Sequence, residues 1–229
     1  TTTSKFSSVC LINESKKFEQ ERKKILNRAL IDIKRYGFND KMLLNVAKNC
    51  AVSEGNLGRL FPEGLFELKQ YFFNEIDKHM LKKIKAQDYE NMRIRDKIFN
   101  GVLIRLELFK RNKTSIKYLF ASESSSPIKA LKHLWRTSDL IWKSAGDNST
   151  DYNHYTKRIL LSWVYLTTLI CWFNDQSKNI KDTKLFLDRR IDEVLEFGKT
   201  SGKIKSKMSK LNISSKLISI LKNLKSIKA

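Results

Sequence analysis

Residues 25–69 read ILNRALIDIKRYGFNDKMLLNVAKNCAVSEGNLGRLFPEGLFELK. Ile25, Leu26, Ala29, Leu30 and Ile33 recur every three or four positions, the period of one helical face, and with Phe18 they define an opening helix over 14–35. Gly37 closes it, because glycine accepts the left-handed conformation of a helix C-cap at little steric cost. Met42, Leu43, Val46 and Ala47 mark a short second helix. Ser53 followed by Asn56 opens a third, on Leu57 and Leu60. Phe61-Pro62 ends it, since the residue before a proline is pushed out of the α region. A longer helix then runs from about Gly64 to Lys85 on Leu65, Leu68, Phe72, Phe73, Ile76 and Met80.

The helical period continues outward. Ile94, Ile98, Val102, Leu106 and Phe109 form one stripe, and Ile116, Leu119 and Phe120 a shorter one, stopped by the serine-rich run 122–126. Pro127 suits the first turn of a helix running to Ala145. Gly146-Asp147-Asn148 is a turn, and Ser149 or Thr150 caps a long helix from about Asp151 to Asn174. Phe186, Leu187, Ile191, Val194, Leu195 and Phe197 mark another, ended by Gly198. With 8 Gly and 2 Pro in 229 residues, the chain lacks the turn formers that a sandwich or barrel needs. The expected class is all-α.

Charge is the next constraint. Lys+Arg 45 against Asp+Glu 24 gives +21, a balance that favours acidic partners: nucleic acid, anionic lipid or an acidic protein. Asp and Glu are absent after Glu196, whereas lysines recur from Lys199 to Lys228. Within the tail, 201–229, Leu217, Ile220, Leu221, Leu224 and Ile227 share one helical face, with Lys216, Lys222 and Lys225 on or beside the opposite one. Such a basic amphipathic helix is drawn to an anionic membrane surface, so these eight residues are the candidate membrane contacts.

Chemistry of the catalytic kind has little support. Cys10, Cys50 and Cys171 are far apart, and His79, His133 and His154 are isolated, so neither a disulfide framework nor a metal site is expected. There is no glycine-rich phosphate cradle and no nucleophile elbow. Asp139, Asp147 and Asp151 gather near one turn, where caps and turn geometry account for two of them. Ile159–Phe173, the longest apolar stretch, is shorter than the roughly 20 residues of a membrane span and reads as a core helix. No secretory signal or transit peptide is visible in 1–11, and a bacterial cytoplasm is the expected compartment, peripheral on the inner membrane, with the mitochondrial matrix face as the alternative.

Two resemblances sharpen this. The layout of 25–69 resembles the head domain of TetR-type regulators, whose third helix enters the DNA major groove. Here that helix, Ser53-Glu54-Gly55-Asn56-Leu57-Gly58-Arg59, holds two glycines and a carboxylate, so the scaffold is expected without its DNA-contact chemistry. The second lies in Asp139-Leu140-Ile141-Trp142 and in Ala145-Gly146-Asp147-Asn148-Ser149-Thr150-Asp151-Tyr152-Asn153-His154-Tyr155-Thr156-Lys157-Arg158. It continues through Tyr165-Leu166-Thr167-Thr168, Asp175-Gln176-Ser177, Asp182-Thr183, Phe186-Leu187 and Arg190. Over about residues 20–200 the chain resembles the accessory protein family of ubiquinone biosynthesis that is ninth in the conventional coenzyme Q series, lipid-binding relatives of the TetR fold.

That resemblance implies a non-catalytic homodimer, without a cofactor of its own, that binds an isoprenoid or quinone-type lipid. It further implies membrane attachment through the last helix and presentation of the quinone precursor to the di-iron demethoxyubiquinone hydroxylase. Asp139, Trp142, Asp151, Tyr152, His154 and Tyr155 would form the hydroxylase-facing surface. An apolar slot between bundle helices is expected on Trp163, Leu166, Ile170 and Phe173, faced by Leu134, Ile141, Leu119 and Phe120. The implied organisation is a flexible 1–13, a TetR-like head at 14–85, a lipid-binding body at 86–200 with its signature at 139–158, and a membrane-associating tail at 201–229. The competing reading is a TetR-type transcriptional regulator.

Overall fold

The computed structural model describes residues 2–122, 127–150 and 152–199, with the side chains of 14–122, 131–150 and 154–195. These residues form helices joined by turns, with no strand among them. The tail at 201–229, and with it Lys216, Leu217, Ile220, Leu221, Lys222, Leu224, Lys225 and Ile227, lies outside the described residues. The chain divides into two compact units, with the boundary between Asn74 and Glu75.

The first unit is built on α1 (Thr2–Tyr36), α2 (Asp40–Asn49), α3 (Glu54–Leu60) and the first half of α4 (Leu65–Lys85). Helix α1 starts well before the expected residue 14, since 2–13 contain no Gly or Pro to stop it. Gly37 takes φ +72° and its N–H reaches the Ile33 carbonyl at 3.0 Å, which closes α1. Asn39 then starts α2 from both sides: its Oδ1 accepts from the Met42 N–H at 2.9 Å and its Nδ2 donates to the Tyr36 carbonyl at 2.7 Å. Ser53 caps α3 through the Asn56 N–H at 3.3 Å. Ile25, Ile33, Met42, Val46, Leu60 and Phe61 are buried in the core. Arg22 braces its edge, pairing with Glu67 at 2.9 Å while its guanidinium lies over Tyr71 and Phe61.

The second unit holds the rest of α4 with α5 (Ile94–Phe109), α6 (Lys113–Ser122), α7 (Pro127–Ser144), α8 (Tyr152–Asn174) and α9 (Lys181–Lys199). Ile98, Val102, Leu106 and Phe109 are buried as the stripe requires, but Ile94 is 55% exposed because it opens the first turn of α5. Arg105 interrupts that stripe and is nonetheless 2% exposed. Its Nη1 is bonded to Asp77 and its Nε donates to the Tyr165 hydroxyl at 2.9 Å, while Arg136 holds the other Asp77 oxygen at 3.0 Å. The network ties α4, α5, α7 and α8 together. Burial opposes the Arg105 charge, yet Tyr165 and Asp77 outweigh it and raise the guanidinium further; burial pushes the Tyr165 phenol up to about 12.

Between α5 and α7 the approach is set by Gly101. A Cβ at that position would sit 2.9 Å from Ile141 Cγ2 and 3.2 Å from its Cγ1. Alanine improves helix propensity over glycine by about 1 kcal/mol, whereas overpacking a core costs about 1–3 kcal/mol. Gly101→Ala is therefore expected to lower the unfolding free energy by about 1 kcal/mol in denaturant titration. In an Ile141→Ala background the same substitution should instead be neutral or stabilising, because the β-branch it meets is gone. Equal effects in both backgrounds would place the origin of the strain elsewhere.

Candidate functional site

The signature segment forms a corner, in which α7 turns through Gly146, at φ +90°, into α8. Arg158, 1% exposed, organises it: Nε donates to Asp139 at 2.9 Å and Nη1 to Asp147 at 2.6 Å. Lys143 holds the other oxygen of Asp139 at 2.7 Å, and Lys157 meets Asp147 at 2.6 Å. The two aspartates thus terminate on cations. Ser149 donates its hydroxyl to Asp147, at 2.8 and 3.0 Å. Burial would raise the Asp147 carboxyl, but Lys157, Arg158 and Ser149 outweigh it and hold the group far below the usual carboxylate range. Asp139 shifts down for the same kind of reason, through Lys143 and Arg158.

The six residues expected to face a partner fall into different settings. Trp142 is 8% exposed; its indole N–H donates to the Lys157 carbonyl at 3.1 Å and its face receives the Lys157 ammonium, so it braces the corner from within. Asp139 is committed to Arg158. His154 is half-buried with Nδ1 2.8 Å from the Ser149 carbonyl. Tyr155 is 58% exposed and stands against Trp135, ring centroids 6.0 Å apart, with His154 edge-on at 5.2 Å. Asp151 lies outside the described residues, and Tyr152 begins α8 with its side chain outside them. Trp135 was not anticipated, although it shares the 135, 139, 142 face of α7.

Of the residues expected to line an apolar slot, Leu119, Phe120, Leu134, Ile141 and Leu166 are buried, whereas Trp163, Ile170 and Phe173 are half-buried along one edge of α8. Phe120 meets Phe173 at 6.3 Å. Phe109 and Trp172 complete this aromatic cluster, with Phe109 6.3 Å from Trp172 and 6.5 Å from Phe120. Ile141 belongs to the Gly101 contact instead. Among the described residues, no group of three His, Cys, Asp or Glu side chains is placed to hold a metal ion, and no helix is long and apolar enough to cross a membrane.

The cluster is fixed at the α8–α9 junction. Asp175 accepts from the Ser177 N–H at 2.7 Å and the Thr183 N–H at 2.9 Å, as well as from both hydroxyls. Burial works against the charge, yet these donors bring the carboxyl down to about 2. Lys113 closes the other side, donating to the Asp175 carbonyl at 2.9 Å with its ammonium 5.1 Å from the Trp172 ring centroid; burial lowers its pKa.

Because the folded-state pKa values of Asp139, Asp147 and Asp175 lie below the unfolded value of about 3.9, their contribution is whole above about pH 4. It is lost as pH falls through the folded values, about 2 for Asp175. Arg158→Met leaves two carboxylates without their buried partner and is expected to cost about 3–5 kcal/mol at pH 7. The acid limb of the stability curve should also move to higher pH, as followed by circular dichroism. A loss below about 1 kcal/mol would show that Lys143 and Lys157 suffice.

Comparison with known proteins places this geometry. A family-wide sequence profile described as COQ9 matches residues 128–198. The chain is 26% identical over 199 residues to the ubiquinone biosynthesis protein COQ9, mitochondrial, of Rattus norvegicus, covering 82% of this chain and 63% of that protein. For the human protein the figures are 25% over 197 residues, 82% and 62%, and for that of Schizosaccharomyces pombe 26% over 201 residues, 81% and 78%. The chain therefore spans about three-fifths of the vertebrate relatives' length. Among solved structures, a TetR transcriptional regulator from Nitrosomonas europaea superposes with TM-score 0.62 at 21% identity, over 76% of this chain and 97% of that one. The matched residues hold both the Arg158 corner and the Asp175 junction; in them the chain is similar to the COQ9 family, and its fold is TetR-like and all-α.

Proposed function

We propose that this chain is a non-catalytic, lipid-binding accessory protein of ubiquinone biosynthesis. In this reading it is a homodimer on a membrane surface, held there by its basic tail, and it hands an isoprenoid quinone precursor to the di-iron demethoxyubiquinone hydroxylase. The carrying observation is where the COQ9 match falls: residues 128–198 include both the corner that exposes Tyr155 and the half-buried edge of Trp163, Ile170 and Phe173. The relatives' names, ubiquinone biosynthesis proteins of mitochondria, supply the pathway and favour the matrix face over the bacterial cytoplasm expected from sequence.

The chemistry asked of the protein is modest. A polyprenyl chain gains about 0.8 kcal/mol for each CH₂ taken out of water, and an edge of half-buried aromatic and aliphatic side chains is where such a chain would enter. A rigid corner then serves docking. Tyr155 is an exposed aromatic whose backbone is fixed by Arg158 three residues on, so little freedom is lost when a partner covers it. The regulator reading draws on the fold alone, and helix α3 opens with Glu54 and carries Arg59 as its one cation.

Mass spectrometry of organic extracts from gently purified protein should find a quinone or isoprenoid lipid near one per chain or per dimer. A chain that carries none and takes none up from vesicles would overturn the lipid assignment. Tyr155→Ala is expected to weaken association with the hydroxylase by about tenfold or more while lipid content stays unchanged. Full affinity in that variant would remove the corner as the docking surface.

A further inference from the structure

The solvent side of α1 differs from an ordinary solvated face. Lys16, Lys17, Lys34 and Arg35 are exposed, with Ile31 among them; Lys24 shares this side, its ammonium donating to the Cys50 carbonyl at 2.9 Å. At about 100° per residue these six fall within an arc of about 120° that extends along about 30 Å of helix. No carboxylate shares the arc. Asp32 is turned inward, 1% exposed and held by Arg28 at 2.8 Å. Glu14 and Glu21 lie to one side, lining the cleft between α1 and α3 with Lys17, Asn56 and Arg59. Ile31 is 59% exposed in the middle of the cationic stripe.

Cations alone would suit any polyanion. A large apolar side chain set into a cationic stripe suits a narrower class, because a helix lying at head-group level pairs lysines with lipid phosphates and places its apolar tips at the acyl boundary. We propose that the solvent face of α1 is a contact for an anionic lipid surface, separate from the tail: Lys16, Lys17, Lys34 and Arg35 meet the head groups, and Ile31 enters beneath them. Duplex DNA is the less suitable occupant. The helix that a helix-turn-helix protein places in the major groove is here α3, with Glu54 in its first turn and a single cation. Ile31 also has nothing to meet on a phosphate backbone. The inference rests on the α1 geometry and not on the pathway reading.

The test uses the full chain and phosphatidylcholine vesicles with or without phosphatidylglycerol. The variant Lys16→Gln/Lys17→Gln/Lys34→Gln/Arg35→Gln should bind anionic vesicles at least about tenfold more weakly than its parent. The loss should appear both with the native tail and with the tail variant Leu217→Ser/Leu221→Ser/Leu224→Ser. Ile31→Ser alone should weaken binding about threefold or more, with an unchanged thermal midpoint showing that the fold is intact. Removing equal charge elsewhere, as Lys82→Gln/Lys110→Gln/Lys132→Gln/Lys184→Gln, should have a much smaller effect. The proposal is overturned if that control weakens binding as much, if Ile31→Ser binds like the wild type, or if the α1 variant keeps its vesicle affinity while losing duplex DNA.

Discussion

One guanidinium holds the corner on which the second unit's candidate surface depends. Arg158 is buried, and its two donor edges reach α7 through Asp139 and the turn through Asp147. Buried arginine is costly unless its charge and its hydrogen-bonding geometry are both met, and the planar fork suits it to bridging two carboxylates at once. The corner is therefore specified by more than hydrophobic contact. Rotating α8 by one residue would carry Arg158 away from both partners, so the register of α7 on α8 is fixed where Tyr155 emerges.

A second buried arginine plays the same part deeper in the unit. Arg105 links Asp77 of α4 to Tyr165 of α8, and Arg136 shares the aspartate from α7. Each of these groups would be expensive to bury alone, and together they leave few alternative packings for the four helices. Around them the core is ordinary, with Val102, Leu106, Ile116 and Leu187 fully enclosed. The buried polar groups select one packing of that core.

These networks also mark where the sequence could be read and where it could not. Gly37, Asn39 and Ser53 announce helix ends through local backbone chemistry, and the structure uses them as such. Periodicity likewise located α4 and most of α5. The same periodicity treats charge as a sign of solvent, so Arg105, Asp77 and Arg158 read as surface although they are buried. Helix α8 posed a different difficulty: it is apolar on nearly every side, and such a helix has no face that the pattern can single out. The stripe through Trp163, Ile170 and Phe173 proves to be an edge, while Leu161, Tyr165, Thr168 and Trp172 point inward. The corner's place was legible in its unusual run of residues; its internal wiring required three-dimensional proximity.

The close approach at Gly101 has a mechanical consequence. Where Ile141 lies directly on a glycine, there is no intervening layer of flexible side chains to absorb displacement, and densely packed interiors transmit such strain. Helices α5 and α7 consequently behave as one stiff plate. A displacement of either helix is passed to the other instead of being taken up between them.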